Sequence, residues 1–343
     1  MKKFLLILTA GLFFCIFAED DTEDKVFEKA NDKTKDKNES VIKIGGLIEA
    51  GFDIHHKVNQ DSTEFKKIGV AEIEFSARPV KKVRAEIKLK YKNDSLRIDK
   101  LYGQYNFLDF ATVRAGFTKK SFGLDETYFY RESIITSYLE SEEDFRLLNH
   151  ELTLQYRHKF GDNWRAIGGF SWAKDTLRYH QNYSVEYENE RLLVMLAAII
   201  GHYTLPNKDY TKATTFATSL AAKHCAKFVV SEVDVTYGSV VYEDEDFENI
   251  NILGIRAQEY FPIAIPTKAL RQIIPIGEIA WLSEDIETKT IKTQLRGGLT
   301  FGFAKNSMLQ WRNTYSTILR KREKDSSLSP HRRRFDSQIV VLF

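Results

Sequence analysis

The sequence predicts an all-β chain: a closed antiparallel transmembrane β-barrel of about 16 strands with a long third outer loop. Three observations predict it. Apolar residues recur at every second position along nearly the whole chain from Val41 onward. About sixteen such runs can be placed, most of them near or above the 9–11 residues that a tilted membrane strand needs. Tight turns and long polar loops alternate between the runs, as they do when one rim of a barrel carries turns and the other carries loops.

Composition narrows the alternatives. The 343 residues include 50 Lys+Arg and 48 Asp+Glu. Without Lys2 and Lys3 the two counts are equal, so no positive excess is available to release counterions from a nucleic acid. Charged residues at 29% and a mean hydropathy of -0.36 exclude a bundle of membrane helices. Two cysteines, Cys15 and Cys225, supply neither a disulfide framework nor a Cys-rich zinc site.

The elements follow in chain order. Met1-Lys2-Lys3 is a positive head, Phe4 to Ala18 is apolar, and Glu19-Asp20 follows. Residues 1–18 therefore read as a signal peptide cleaved after Ala18. Residues 19–40 are almost entirely charged or polar and cannot bury enough surface to order themselves. Residues 41–343 form the predicted barrel. Ile42, Ile44, Ile48, Ala50, Phe52 and Ile54 share one parity in the first run. Val83, Ala85, Ile87, Leu89 and Tyr91 alternate with Arg84, Glu86, Lys88 and Lys90 in the third, and Ile291, Leu295, Leu299 and Phe301 do so late in the chain. An even strand number places both ends of the barrel on the short-turn rim.

Two irregularities stand out. The apolar parity slips between Ile98 and Leu101, the mark of a bulge. Phe261 to Arg271 is long where a short turn is due. Tyr91, Tyr105, Phe107, Phe117, Phe160, Trp164, Trp172, Tyr203, Phe261 and Trp281 sit near strand ends, where an interfacial aromatic girdle is expected. The last run alternates through Ile339 and Val341 to Phe343, and resembles the C-terminal signal that hands outer-membrane proteins to the barrel-assembly machinery.

The strand at 111–117, Ala-Thr-Val-Arg-Ala-Gly-Phe, runs into TKKSFGLDETYFYRESIITSY, and DKLYGQYNF precedes it at 99–107. A paired strand, then a strand ending in Gly-Phe, then a Lys-x-x-Phe-Gly-Leu turn and a long loop resembles the phosphate-selective O and P porins. The motif covers about 40 residues, and the architecture extends it over the predicted barrel. The resemblance implies a homotrimeric sixteen-stranded barrel in the outer membrane that passes anionic solutes by diffusion, without a cofactor. It also implies that the third outer loop, Lys119–Leu147, folds inward to narrow the pore. Lys119, Lys120 and Arg131 are then candidates for the constriction.

Inward parity adds Arg84, Lys88, Arg114, Arg157, Arg165, Arg256, Arg296 and Arg312 as candidates for a charged, solute-binding wall. Arginine suits oxyanions because its fork donates two parallel hydrogen bonds. Glu49, Asp53, Glu72, Glu74, Glu86, Glu151, Glu232, Asp234 and Glu278 stand against them. The family's uninterrupted arginine ladder is not recovered, which points to general or weakly anion-preferring diffusion. The basic residues His331 to Arg334 flank the last outer loop, where lipopolysaccharide is a fitting partner. Metalloprotease, serine-hydrolase, phosphate-loop and paired Cys-x-x-Cys motifs are missing from the chain. An outer-membrane enzyme of phospholipase or protease type and a structural or adhesive barrel are the alternatives.

Overall fold

A computed structural model describes residues 41–92, 95–118, 120, 122–123, 133–141, 151–172, 178–205, 211–244, 246–267, 269–285, 290–303, 309–321 and 329–342. The expected signal peptide, the charged segment 19–40 and the C-terminal Phe343 lie outside these residues.

The strands are β1 Val41–Lys57, β2 Ser62–Val80, β3 Val83–Lys92, β4 Ser95–Leu108, β5 Ala111–Thr118, β6 Glu151–Phe160, β7 Trp164–Trp172, β8 Tyr179–Glu188 and β9 Leu192–Leu205. They continue as β10 Thr211–Cys225, β11 Val230–Tyr242, β12 Ile250–Tyr260, β13 Ile263–Ala264, β14 Leu270–Asp285, β15 Thr290–Phe303, β16 Leu309–Lys321 and β17 Ser329–Leu342. Each pairs antiparallel with its chain neighbour, and β12 skips the two-residue β13 to pair with β14. β1 pairs with both β2 and β17, so sixteen strands close into one ring. Closure leaves no edge, and only a closed sheet satisfies every backbone group in lipid.

Side chains are inverted relative to a soluble protein. The outward parity exposes Ile44, Phe65, Leu154, Leu196, Leu220, Leu295 and Ile339. The inward parity buries Asp53, Glu72, Glu86, Gln155, Asn182, Thr215, Ser219, Gln258 and Gln338. Period-two alternation places the two sets on opposite faces of the sheet, the outer one fit for lipid and the inner one for a polar lumen.

The irregularities resolve into local features. Lys88 pairs with Lys100 and Leu89 with Ile98, so Asp99 is the extra residue of a bulge. The long turn after β12 carries β13, whose Ile263 and Ala264 pair back onto Ile273 and Gln272. β2 runs on through Pro79-Val80, and the turn to β3 sits at Lys81-Lys82. One girdle assignment is corrected. Tyr91, Tyr105, Phe160, Trp164, Trp172 and Phe261 are exposed on the outer face, but Tyr203 has inward parity and is buried, its hydroxyl accepting from Thr215.

Candidate functional site: the lumen and its inner loop

After β5 the chain turns into the barrel. Lys120 has a fully buried side chain, with its Nζ 2.9 Å from Glu151 Oε2 at the start of β6. Phe122 packs on Met195, Ala197 and Ala221 of β9 and β10. Gly123 sits over β11 in the left-handed region (φ +66), where a Cβ would come within 2.7 Å of Asp234 Oδ2. Asp234 is fixed in turn by the hydroxyls of Ser219 and Thr236.

The same connection carries a short helix, α1 (Ile134–Ser141). Ile135 and Leu139, one turn apart, join Ile199, Ala217, Val240, Ile252, Ala280 and Leu282 in one buried cluster on the inner faces of β9 to β14. Gly254 leaves the space for this contact, since a Cβ there would lie 2.9 Å from Ile135. Polar ties complete the seat. The Ile134 amide donates to Gln294 on β15, and the Tyr138 hydroxyl donates to the Glu284 carbonyl on β14. Lys119 and Arg131, expected at the constriction, lie outside the described residues.

The other half of the wall is charged. Arg84, Arg114, Arg157 and Arg165, on β3, β5, β6 and β7, turn inward close enough to act on one another's charge. Two of them are tied down: Arg84 to Glu86 at 2.8 Å, and Arg165 through Nε to Glu186 at 2.6 Å. Glu86 also accepts from Lys100 and from the Tyr102 hydroxyl. Arg114 lies over the Tyr102 ring at 4.1 Å and donates to Gln104. Among the described residues Arg157 makes no hydrogen bond or ion pair. Arg165 also reaches Glu188 at 3.6 Å, so the quartet holds four guanidinium groups against three carboxylates.

The remaining candidates are placed differently. Lys88 and Lys90 share Glu72, each at 2.5 Å. Arg312 faces Glu49 at 3.9 Å. Arg256 and Arg296 have the expected inward parity but are buried at 3% and 6% exposure, and Arg296 forms a closed pair with Glu278. Like Lys120, they present almost no surface to a passing solute. The sequence reading missed α1, because an eight-residue IITSYLES carries barely two turns of helical periodicity. The one available signal was the Ile135/Leu139 spacing.

Comparison with known proteins follows the same lines. No protein-family model and no curated protein matches the sequence. The fold is similar to the anion-selective porin from Comamonas acidovorans, with a TM-score of 0.67 and 10% identity over 89% of this chain and 100% of that one. It is similar to the outer membrane channel DcaP of Acinetobacter baumannii, with a TM-score of 0.66 and 11% identity over 89% and 97%. OmpT of Vibrio cholerae in its trimer form matches with a TM-score of 0.65 and 10% identity over 89% and 99%. At these identities the likeness establishes a shared β-barrel fold.

Proposed function

We propose that the chain is an outer-membrane porin through which small hydrophilic solutes diffuse passively, with a preference for anions. The observation that carries this reading is the inward arginine quartet around Arg114 and Arg157, whose mutual repulsion an entering anion relieves. A guanidinium that is positioned and left without a carboxylate suits transient binding of phosphate or a carboxylate better than structural pairing. The resemblance to phosphate-selective porins over 99–138 favours phosphate as one such solute. A solute passes down its gradient without chemical change, so no cofactor is required. The trimeric form of a matched structure favours a homotrimer, and the apolar outer face suits outer-membrane lipid and lipopolysaccharide.

The enzymatic alternative meets a specific obstacle. Ser171, His180 and Glu151 do cluster on the inner wall, but Ser171 donates to Glu151 and not to His180. A nucleophilic serine needs the imidazole as its base, with the carboxylate behind it. The three groups are also fully buried, which closes them to a substrate.

The test is planar-bilayer conductance of the refolded chain under a salt gradient, followed by added phosphate. A steady open conductance with an anion-selective reversal potential supports the proposal, and block by phosphate extends it to that solute. A folded barrel without conductance refutes it.

A further inference from the structure

We propose that Lys120, Glu151, Ser171 and His180 form a buried clasp that turns the loop after β5 into the lumen and so sets the bore of the channel; this rests on the porin reading above. Three donors converge on one oxygen. Lys120 Nζ, Ser171 Oγ and His180 Nδ1 lie 2.9, 2.9 and 2.8 Å from Glu151 Oε2. All four residues are at most 4% exposed. Ionised groups are held in such a place only when paired and hydrogen-bonded, because leaving either without its partner is strongly unfavourable.

The position of the clasp gives it a function beyond stability. Thr118, the last residue of β5, pairs with Glu151, the first of β6, so both strands reach the long-loop rim together. A chain leaving a strand there has two routes: up into solvent or across the inner wall. Lys120 commits it to the second within two residues. Its side chain joins β6, β7 and β8 through Glu151, Ser171 and His180, and Phe122 and Gly123 then meet β9, β10 and β11. Further along the same connection, α1 is seated on β12 and β14. Lys120 is thus a positioning residue, and its charge reaches solutes only through where it holds the loop.

The deciding experiment is hydrogen exchange on the refolded full-length barrel, reading peptides that cover 134–141 in Lys120→Met and wild type. Loss of the clasp is expected to accelerate exchange of α1 about tenfold, since the helix then opens locally without unfolding the barrel. Lys120→Arg, which restores the charge, is expected to return exchange towards wild type, an effect that mere loss of side-chain volume does not predict. Unchanged exchange in a folded Lys120→Met barrel, judged by heat-modifiable mobility, overturns the clasp. Glu151→Gln takes its place where Lys120→Met does not fold. Exchange decides the clasp even if the wild type fails to conduct. If it does conduct, released variants are expected to show a larger and noisier conductance.

Discussion

Neutralising Arg114 and Arg157 together tests the charged wall most directly. Arg114→Gln and Arg157→Gln keep polar side chains but reduce the quartet from four guanidinium groups to two, Arg84 and Arg165, both already paired with Glu86, Glu186 and Glu188. A unit charge about 6 Å from a permeating anion in a water-filled lumen contributes about 0.7 kcal/mol at a dielectric constant of about 80. Two such charges contribute about 1.4 kcal/mol, equivalent to about a tenfold change in local anion occupancy. The chloride-to-potassium permeability ratio should therefore fall by up to about tenfold in about 10 mM salt, where the Debye length is about 30 Å. In about 1 M salt, with a Debye length of about 3 Å, the difference should nearly vanish. Reversal potentials across a salt gradient measure both values. An unchanged ratio at low salt in a folded double variant would refute the role given to these arginines.

Other expectations follow from individual contacts. Gly116 has φ +145, and a Cβ there would lie 2.2 Å from the Leu101 carbonyl, so Gly116→Ala should destabilise the β4–β5 pair by about 1–3 kcal/mol. Gly103→Ala, where a Cβ meets nothing within 4 Å, should be close to neutral; urea titration of heat-modifiable mobility separates the two. Arg296→Met strands the buried carboxylate of Glu278 and should cost about 3–5 kcal/mol in the same assay while leaving ion selectivity unchanged. Leu154→Arg puts a charge on the outer face and should cost up to about 2–4 kcal/mol in folding into lipid vesicles. An unchanged folding free energy in lipid vesicles would contradict a lipid-facing Leu154.

The barrel was legible because its two faces meet different solvents. Ile42 to Ile54, Val83 to Tyr91 and Ile291 to Phe301 alternate cleanly where the lumen side is charged, and each became a strand with the expected parity. Asp99 shows that even a bulge can be read where the parity slips. Parity carries less contrast in β9: Leu192 to Ile200 is apolar on both parities, and sequence alone offers no reason for it. The structure supplies one: Ile199 and Ala197 face inward onto the loop and its helix, so this wall is a packing surface. Tyr203 went astray for the same reason, being an aromatic near a strand end that points into the lumen. Parity also found the inward arginines without distinguishing open from covered ones, because burial of Arg256 and Arg296 depends on what lies above the wall.

These observations fit one another only if the lumen is divided. The inner faces of β9 to β14 contribute Ile199, Ala217, Val240, Ile252, Ala280 and Leu282, a surface that would be costly to leave against water. The helix α1 covers it, which accounts both for the apolar inward residues and for the inward course of the loop. Arg84, Arg114, Arg157 and Arg165 lie on β3, β5, β6 and β7, strands that take no part in that seat. A wall with an excess of guanidinium charge opposite a low-dielectric surface concentrates field lines in the gap between them. The apolar half therefore does more than hold the loop. By excluding water from one side, it strengthens the pull of the arginines on an anion crossing the other, so loosening α1 should weaken selectivity as well as widen the pore.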